Sequence, residues 1–121
     1  MKLLHVGLIV PDLGEAAQFY EGVLGLQREA RPDLGFDGIF YAAGEGSQIH
    51  LMLLPDPYEG YAQPLHGGRD RHVALAVENL EAIRLRLDAV NISYTLSKSG
   101  RAALFCRDPA GNAIELCEEP A

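Results

Sequence analysis

The sequence predicts an α+β fold built from two βαβββ modules, and three observations point there. First, the chain repeats itself: His5-Val6-Gly7-Leu8-Ile9-Val10-Pro11-Asp12-Leu13 lies over His72-Val73-Ala74-Leu75-Ala76-Val77-Glu78-Asn79-Leu80, with identity at His, Val, Leu, Val and Leu. Second, Gly46-Ser47-Gln48-Ile49-His50-Leu51 lies over Gly111-Asn112-Ala113-Ile114-Glu115-Leu116 at nearly the same offset. Third, each half opens on two-residue alternation, which suits a half-buried strand, and then changes to helical spacing. The expected modules span residues 1–54 and 70–119 of a single 121-residue domain, joined by a linker over 55–69.

Each element has a local cause. After the first strand, Asp12 is placed to cap a helix, with Glu15 three residues on. Leu13, Ala16, Ala17, Tyr20, Val23 and Leu24 then recur at helical spacing until Gly25 ends the run. Strands are expected over 26–30, 38–43 and 48–54. In the second module Asn79 caps a helix whose apolar stripe is Leu80, Ile83, Leu87 and Val90, and Asn91 can take the left-handed stop. Strands follow over 93–97, 102–107 and 113–118, the last two joined by a turn, Asp108-Pro109-Ala110-Gly111-Asn112, in which Gly111 supplies positive φ. Residues 55–68 are rich in Pro and Gly and read as a linker or a lid, with His66 solvated in it.

Composition narrows the function. With 48% hydrophobic and 22% charged residues, a chain of this length can bury a core without disulfides or a structural metal, so any metal would be functional. Seventeen acidic against ten basic residues give a net charge of −7 with no basic cluster, which argues against nucleic-acid and membrane-surface partners. No apolar stretch approaches the ~20 residues of a membrane span. The N-terminus lacks the pattern of a signal peptide, and Cys106 and Cys117 form no disulfide framework; a cytoplasmic protein with small buried thiols is expected. No phosphate-loop, dinucleotide-binding or hydrolase-elbow motif occurs.

Alternation also sorts the side chains by face. Leu4, Val6, Leu8 and Val10 fall on one face of the first strand, while His5, Gly7 and Ile9 fall on the other; Val73, Leu75 and Val77 oppose His72, Ala74 and Ala76 likewise. The aliphatic faces suit burial under the helices. The histidine faces carry small neighbours and leave room. His50 and Glu115 occupy equivalent places on the last strands, each between aliphatic residues that point the other way. A single strand histidine is ordinarily a hydrogen-bonded core or surface residue. Here three of the four histidines and one carboxylate take symmetry-related positions, and pseudo-twofold packing would gather His5, His50, His72 and Glu115. Imidazole and carboxylate suit Fe, Mn, Co, Ni or Zn. Cys117 shares the face of Glu115 and is expected to serve packing.

With these residues in hand the chain resembles the vicinal oxygen chelate superfamily of glyoxalases, bleomycin-resistance proteins and ring-cleaving dioxygenases. The resemblance rests on His5-Val6-x-Leu8-x-Val10-x-Asp12-Leu13, Phe19-Tyr20-x-x-Val23-Leu24-Gly25, His50-Leu51, His72-Val73-Ala74-Leu75 and Asp108-Pro109-x-Gly111-Asn112-x-Ile114-Glu115-Leu116. It implies that the two modules form an incomplete barrel around a central cavity, commonly in a homodimer. It also implies a divalent cation (Ni, Co, Zn, Mn or Fe) held at the positions of His5, His50, His72 and Glu115. Lactoylglutathione lyase is the nearest pattern, but where that enzyme has a glutathione-binding arginine and asparagine this chain has Ile9 and Leu54, and His50 replaces its usual glutamate ligand. The serine-rich basic segment Ser97-Lys98-Ser99-Gly100-Arg101 is similar to a loop of fosfomycin-resistance enzymes and implies substrate-binding roles for Arg101 and Lys98.

The expected function is therefore a metal-dependent lyase, isomerase or thiol-transferase acting on a small substrate with vicinal oxygens. Glu115 and His50 would carry the proton chemistry. One alternative is a ring-cleaving Fe(II) dioxygenase using His5, His72 and Glu115. Another is a bleomycin-resistance-type binding protein without catalysis.

Overall fold

The structure, a computed structural model, describes residues 1–119; Pro120 and Ala121 of the expected domain lie outside it. Two compact units, Met1–Gly60 and Tyr61–Ala121, divide the chain. Each repeats the same order of elements, so the fold is α+β with two βαβββ modules. Of the segment expected as a linker, residues 55–60 go with the first unit and 61–69 with the second.

The first unit runs β1 (His5–Val10), helix α1 (Leu13–Ala17), β2 (Arg28–Glu29), β3 (Gly38–Ala42) and β4 (Gln48–Leu53), with sheet order β1-β4-β3-β2. Asp12 caps α1 by accepting from the Glu15 amide at 2.9 Å. Beyond Ala17 the helix widens to π-helical turns over Gln18–Val23, where the Leu24 N–H bonds the Phe19 carbonyl five residues back. Gly25, at φ 73°, then ends it in the left-handed region that glycine tolerates. The strand expected over 26–30 shortens to Arg28–Glu29 on the sheet edge, extended only by the Ala42 N–H to the Gln27 carbonyl.

Register assigns the faces. β1 and β4 are parallel, with Val6, Leu8 and Val10 beside Ile49, Leu51 and Leu53, and with His5, Gly7 and Ile9 beside Gln48, His50 and Met52. The aliphatic face packs under the helix, where Phe19, Tyr20, Val23, Ile39, Tyr41, Ile49 and Leu51 are buried and the Tyr20 and Tyr41 rings stack at 5.7 Å. Tyr41 donates to Glu21, which also takes Arg28; the two bonds hold the Glu21 carboxyl below the usual range, while burial and this carboxylate push the Tyr41 hydroxyl well up. Gly38 admits no side chain, because a Cβ there would stand 2.3 Å from the Leu51 carbonyl oxygen.

The second unit runs β5 (His72–Val77), α2 (Leu80–Ala89), β6 (Tyr94–Leu96), β7 (Ala103–Arg107) and β8 (Ala113–Glu118), with order β5-β8-β7-β6. Asn79 caps α2 on the Ala82 amide, and Asn91, at φ 58°, ends it. Ile83 and Leu87 are buried with Leu104, Ile114 and Leu116, whereas Val90 of the expected stripe is exposed because the helix has already ended. The turn between β7 and β8 centres on buried Asp108, whose carboxylate accepts from the Ala110 and Asn112 amides and from Asn112 Nδ2, with Gly111 at φ 91°.

Residues 61–70 form a strap bound to this sheet. Arg107 donates to Asp70, to the Gly111 carbonyl and to the Pro64 carbonyl, and Gln63 donates to the Gly111 carbonyl. His66 is consequently not solvated. It is half-buried, with Nδ1 at 2.6 Å from Thr95 Oγ1 and its ring edge-on to Phe105 at 4.8 Å. A cavity of about 430 Å³ lies beside the strap, bounded by residues that include Pro64, Leu65, Ile92, Tyr94, Thr95 and Phe105.

Candidate metal-ligand pairs

The parallel ladder at the start of each module brings its first strand beside its last, so the expected ligands meet as two pairs. In the second unit His72 lies beside Ala113 in β8, one diagonal step from Glu115. His72 Nε2 stands 3.3 Å from Glu115 Oε1. The other ring nitrogen, Nδ1, is 2.8 Å from the Asp70 carbonyl oxygen, which can only accept, so Nδ1 carries the proton. In the neutral ring Nε2 therefore turns a lone pair toward a carboxylate oxygen. Two ligand atoms at about 2.1 Å from one cation, at a right angle, are about 3.0 Å apart. The pair matches that bite, and the backbone carbonyl behind the ring is the usual orienting partner of a ligating histidine.

Glu115 is buried, 4% exposed, and its second oxygen is occupied. Oε2 accepts from Arg101 at 2.8 Å and from the Cys117 thiol at 3.0 Å. Cys117, expected to serve packing, is thus half-buried and a donor. Burial first, then the neighbouring carboxylate, raises its pKa to about 11 and keeps it protonated. Cys106 is buried as expected, its thiol pushed to about 12 by burial. Lys98 stands exposed on the loop before β7.

In the first unit the same diagonal step relates His5 to His50, whose rings stack at 4.0 Å. Phe40 stacks on His50 with ring centroids 3.5 Å apart and ring planes nearly parallel. His50 Nε2 is 2.7 Å from Gln48 Oε1, while Gln48 Nε2 donates to Glu29, so this arrangement makes Nε2 the donor and leaves the lone pair on Nδ1. Burial, then His5 and Arg31, lowers the pKa of His50 and favours the neutral ring. Among the described residues no group of three or more His, Cys, Asp or Glu side chains is gathered to hold a metal ion; the donors stand as two pairs, each within its own unit.

Two residues outside the expected set complete the repeat. Phe40 is opposite His50 in the ladder, Phe105 is opposite Glu115, and the His72 ring meets Phe105 edge-on at 5.2 Å. Each phenylalanine lies ten residues before the ligand it accompanies, a spacing present in the sequence and sufficient to find both.

A sequence profile matches residues 2–116, nearly the whole chain, and it is that of the Glyoxalase/Bleomycin resistance protein/Dioxygenase superfamily. The chain belongs to this superfamily. Lactoylglutathione lyase of Escherichia coli O157:H7 is 32% identical over 132 residues, covering 98% of this chain and 93% of that protein. The mitochondrial methylmalonyl-CoA epimerase of Homo sapiens is 26% identical over 127 residues, covering 95% of this chain and 72% of that protein. Among solved structures, a glyoxalase family protein from Bacillus anthracis superposes with a TM-score of 0.77 at 21% identity, covering 98% of this chain and 95% of that one. Relatives by sequence thus include a lyase and an epimerase. Among the described residues no helix is long and apolar enough to cross a membrane.

Proposed function

We propose that this chain is a divalent-metal-dependent enzyme of the glyoxalase superfamily, of lyase, isomerase or thiol-transferase type, acting on a small substrate with vicinal oxygens. His5, His50, His72 and Glu115 are its metal ligands. The observation that carries this reading is the His72–Glu115 pair: a lone pair and a carboxylate oxygen face each other at ligand spacing, an arrangement in want of a proton or a cation between them. When bound, the cation supplies Lewis acidity to the two adjacent substrate oxygens.

The chain's own groups do the rest. Glu115 and His50 are the groups that can take and return a proton: Glu115 at a carboxylate oxygen, and His50 at Nδ1 only while that nitrogen is off the cation, since Gln48 keeps Nε2 occupied. Phe40 stacks on His50 and Phe105 meets His72 edge-on, each covering part of the ring with apolar surface. Ile9 and Leu54, in the places of glutathione-binding residues, support a substrate other than a glutathione adduct. The same proposal takes the two modules as one functional domain, the active form as a homodimer, and the compartment as the cytoplasm, where the free thiols Cys106 and Cys117 are stable.

The test is elemental analysis of protein purified from its native host without chelators or a metal-binding tag. About one Ni, Co, Zn or Mn per chain is expected, followed by turnover in a screen of α-oxo thioesters, epoxides and thiol acceptors. Iron together with catechol-dependent O₂ uptake would replace this reading with the dioxygenase. No metal, and none taken up on addition, would overturn it in favour of a binding protein.

A further inference from the structure

The two oxygens of Glu115 stand in different surroundings. Oε1 faces His72 Nε2, whereas Oε2 is closed by the Arg101 guanidinium at 2.8 Å and the Cys117 thiol at 3.0 Å. Arg101 is itself held. It sits at the end of a loop whose Gly100 takes φ 84°, and its Nε and backbone N–H both turn toward Ser99 Oγ, which bonds Ser97 Oγ at 2.8 Å. Its side chain is 64% exposed while that of Glu115 is 6% exposed, so a solvated cation reaches inward to the buried anion. A buried carboxylate needs a counter-charge, and without a metal the guanidinium provides one.

We propose that Arg101 is a positioning residue that closes Oε2 of Glu115, leaving Oε1 alone to meet a divalent cation and competing with that cation for the carboxylate. The inference rests on the metal-site reading above. It places Arg101 on the ligand rather than on a substrate anion.

Calorimetric titration of the full chain with Co²⁺, together with the visible spectrum of the bound ion, tests this directly. Arg101→Met removes the charge and leaves only the weakly donating Cys117 thiol on the second oxygen. Its Co²⁺ affinity is expected to rise on the order of tenfold, the weight of one unit charge roughly 6 Å from a divalent cation at the near-water screening of an exposed guanidinium. The visible bands should weaken or shift as Glu115 gains a second contact. Arg101→Lys keeps the charge on an exposed stem and should stay within about threefold of the wild type. Equal or weaker binding by Arg101→Met with an unaltered spectrum would overturn the proposal while leaving the metal site standing. No binding by the wild-type chain or by Arg101→Met would overturn both. Circular dichroism confirms that each variant is folded before titration.

Discussion

Glu115→Gln separates the chemistry of the site from the stability of the fold. The side chain keeps its shape and its hydrogen-bonding reach but loses the charge. Its loss to folding is small, because the ion pair it breaks joins a buried carboxylate to an arginine that is 64% exposed and largely solvated. Removing the charge also relieves the desolvation penalty of a buried anion. The net change is about 1 kcal/mol or less, which for a domain of this size shifts Tm by about 4 °C at most. Metal binding should respond very differently. Loss even of an outer-sphere partner typically costs 10- to 100-fold in affinity, roughly, and loss of the only carboxylate among the four ligands should cost at least about 100-fold. The assay is dialysis against micromolar Ni²⁺, Co²⁺ or Mn²⁺, elemental analysis per chain, and a melting curve on the same sample. A variant that melts normally and retains stoichiometric metal would refute the assignment of Glu115 as a ligand.

Gly38→Ala should destabilise by about 3 kcal/mol or more, since the new Cβ meets the Leu51 carbonyl oxygen at 2.3 Å and the β3–β4 ladder must spread; urea denaturation would reveal this as a lowered midpoint. Asp108→Ala should cost about 2–4 kcal/mol, because the buried carboxylate accepts from two backbone amides and one side-chain amide in the β7–β8 turn, and the loss is again read from the denaturation midpoint. The metal-free protein should lose stability as pH falls below about 6.5. Burial lowers the folded-state pKa of His50 below the ordinary imidazole value of about 6.5, so the unfolded chain binds its proton first; His50→Gln should flatten that part of the pH–stability curve.

The repeat of His5-Val6 over His72-Val73, and of His50-Leu51 over Glu115-Leu116, was enough to assign the element order and the faces and to single out His5, His50, His72 and Glu115; it led to the expectation of one gathered set, whereas the described residues stand as two pairs. Two-residue alternation on parallel neighbours leaves one way to bury the aliphatic set, and that choice turns the histidines to the other face. Caps at Asp12 and Asn79 were legible for a similar reason: a side chain that bonds the amide three residues on acts locally. The strap was not legible. Nothing local in residues 61–70 announces that Arg107, far along the chain, will bind Pro64 and Asp70 and draw His66 against Phe105 and Thr95. The surroundings of the ligands were decided in the same way. Which nitrogen of His72 keeps its proton depends on the Asp70 carbonyl, and the closing of Glu115 Oε2 depends on Arg101 arriving from another strand connection. Periodicity and capping are properties of neighbours in sequence, so the sequence by itself determined the modules and their faces. Proton positions, charge pairing and the path of an irregular segment depend on groups distant in sequence, and only the tertiary structure decided those.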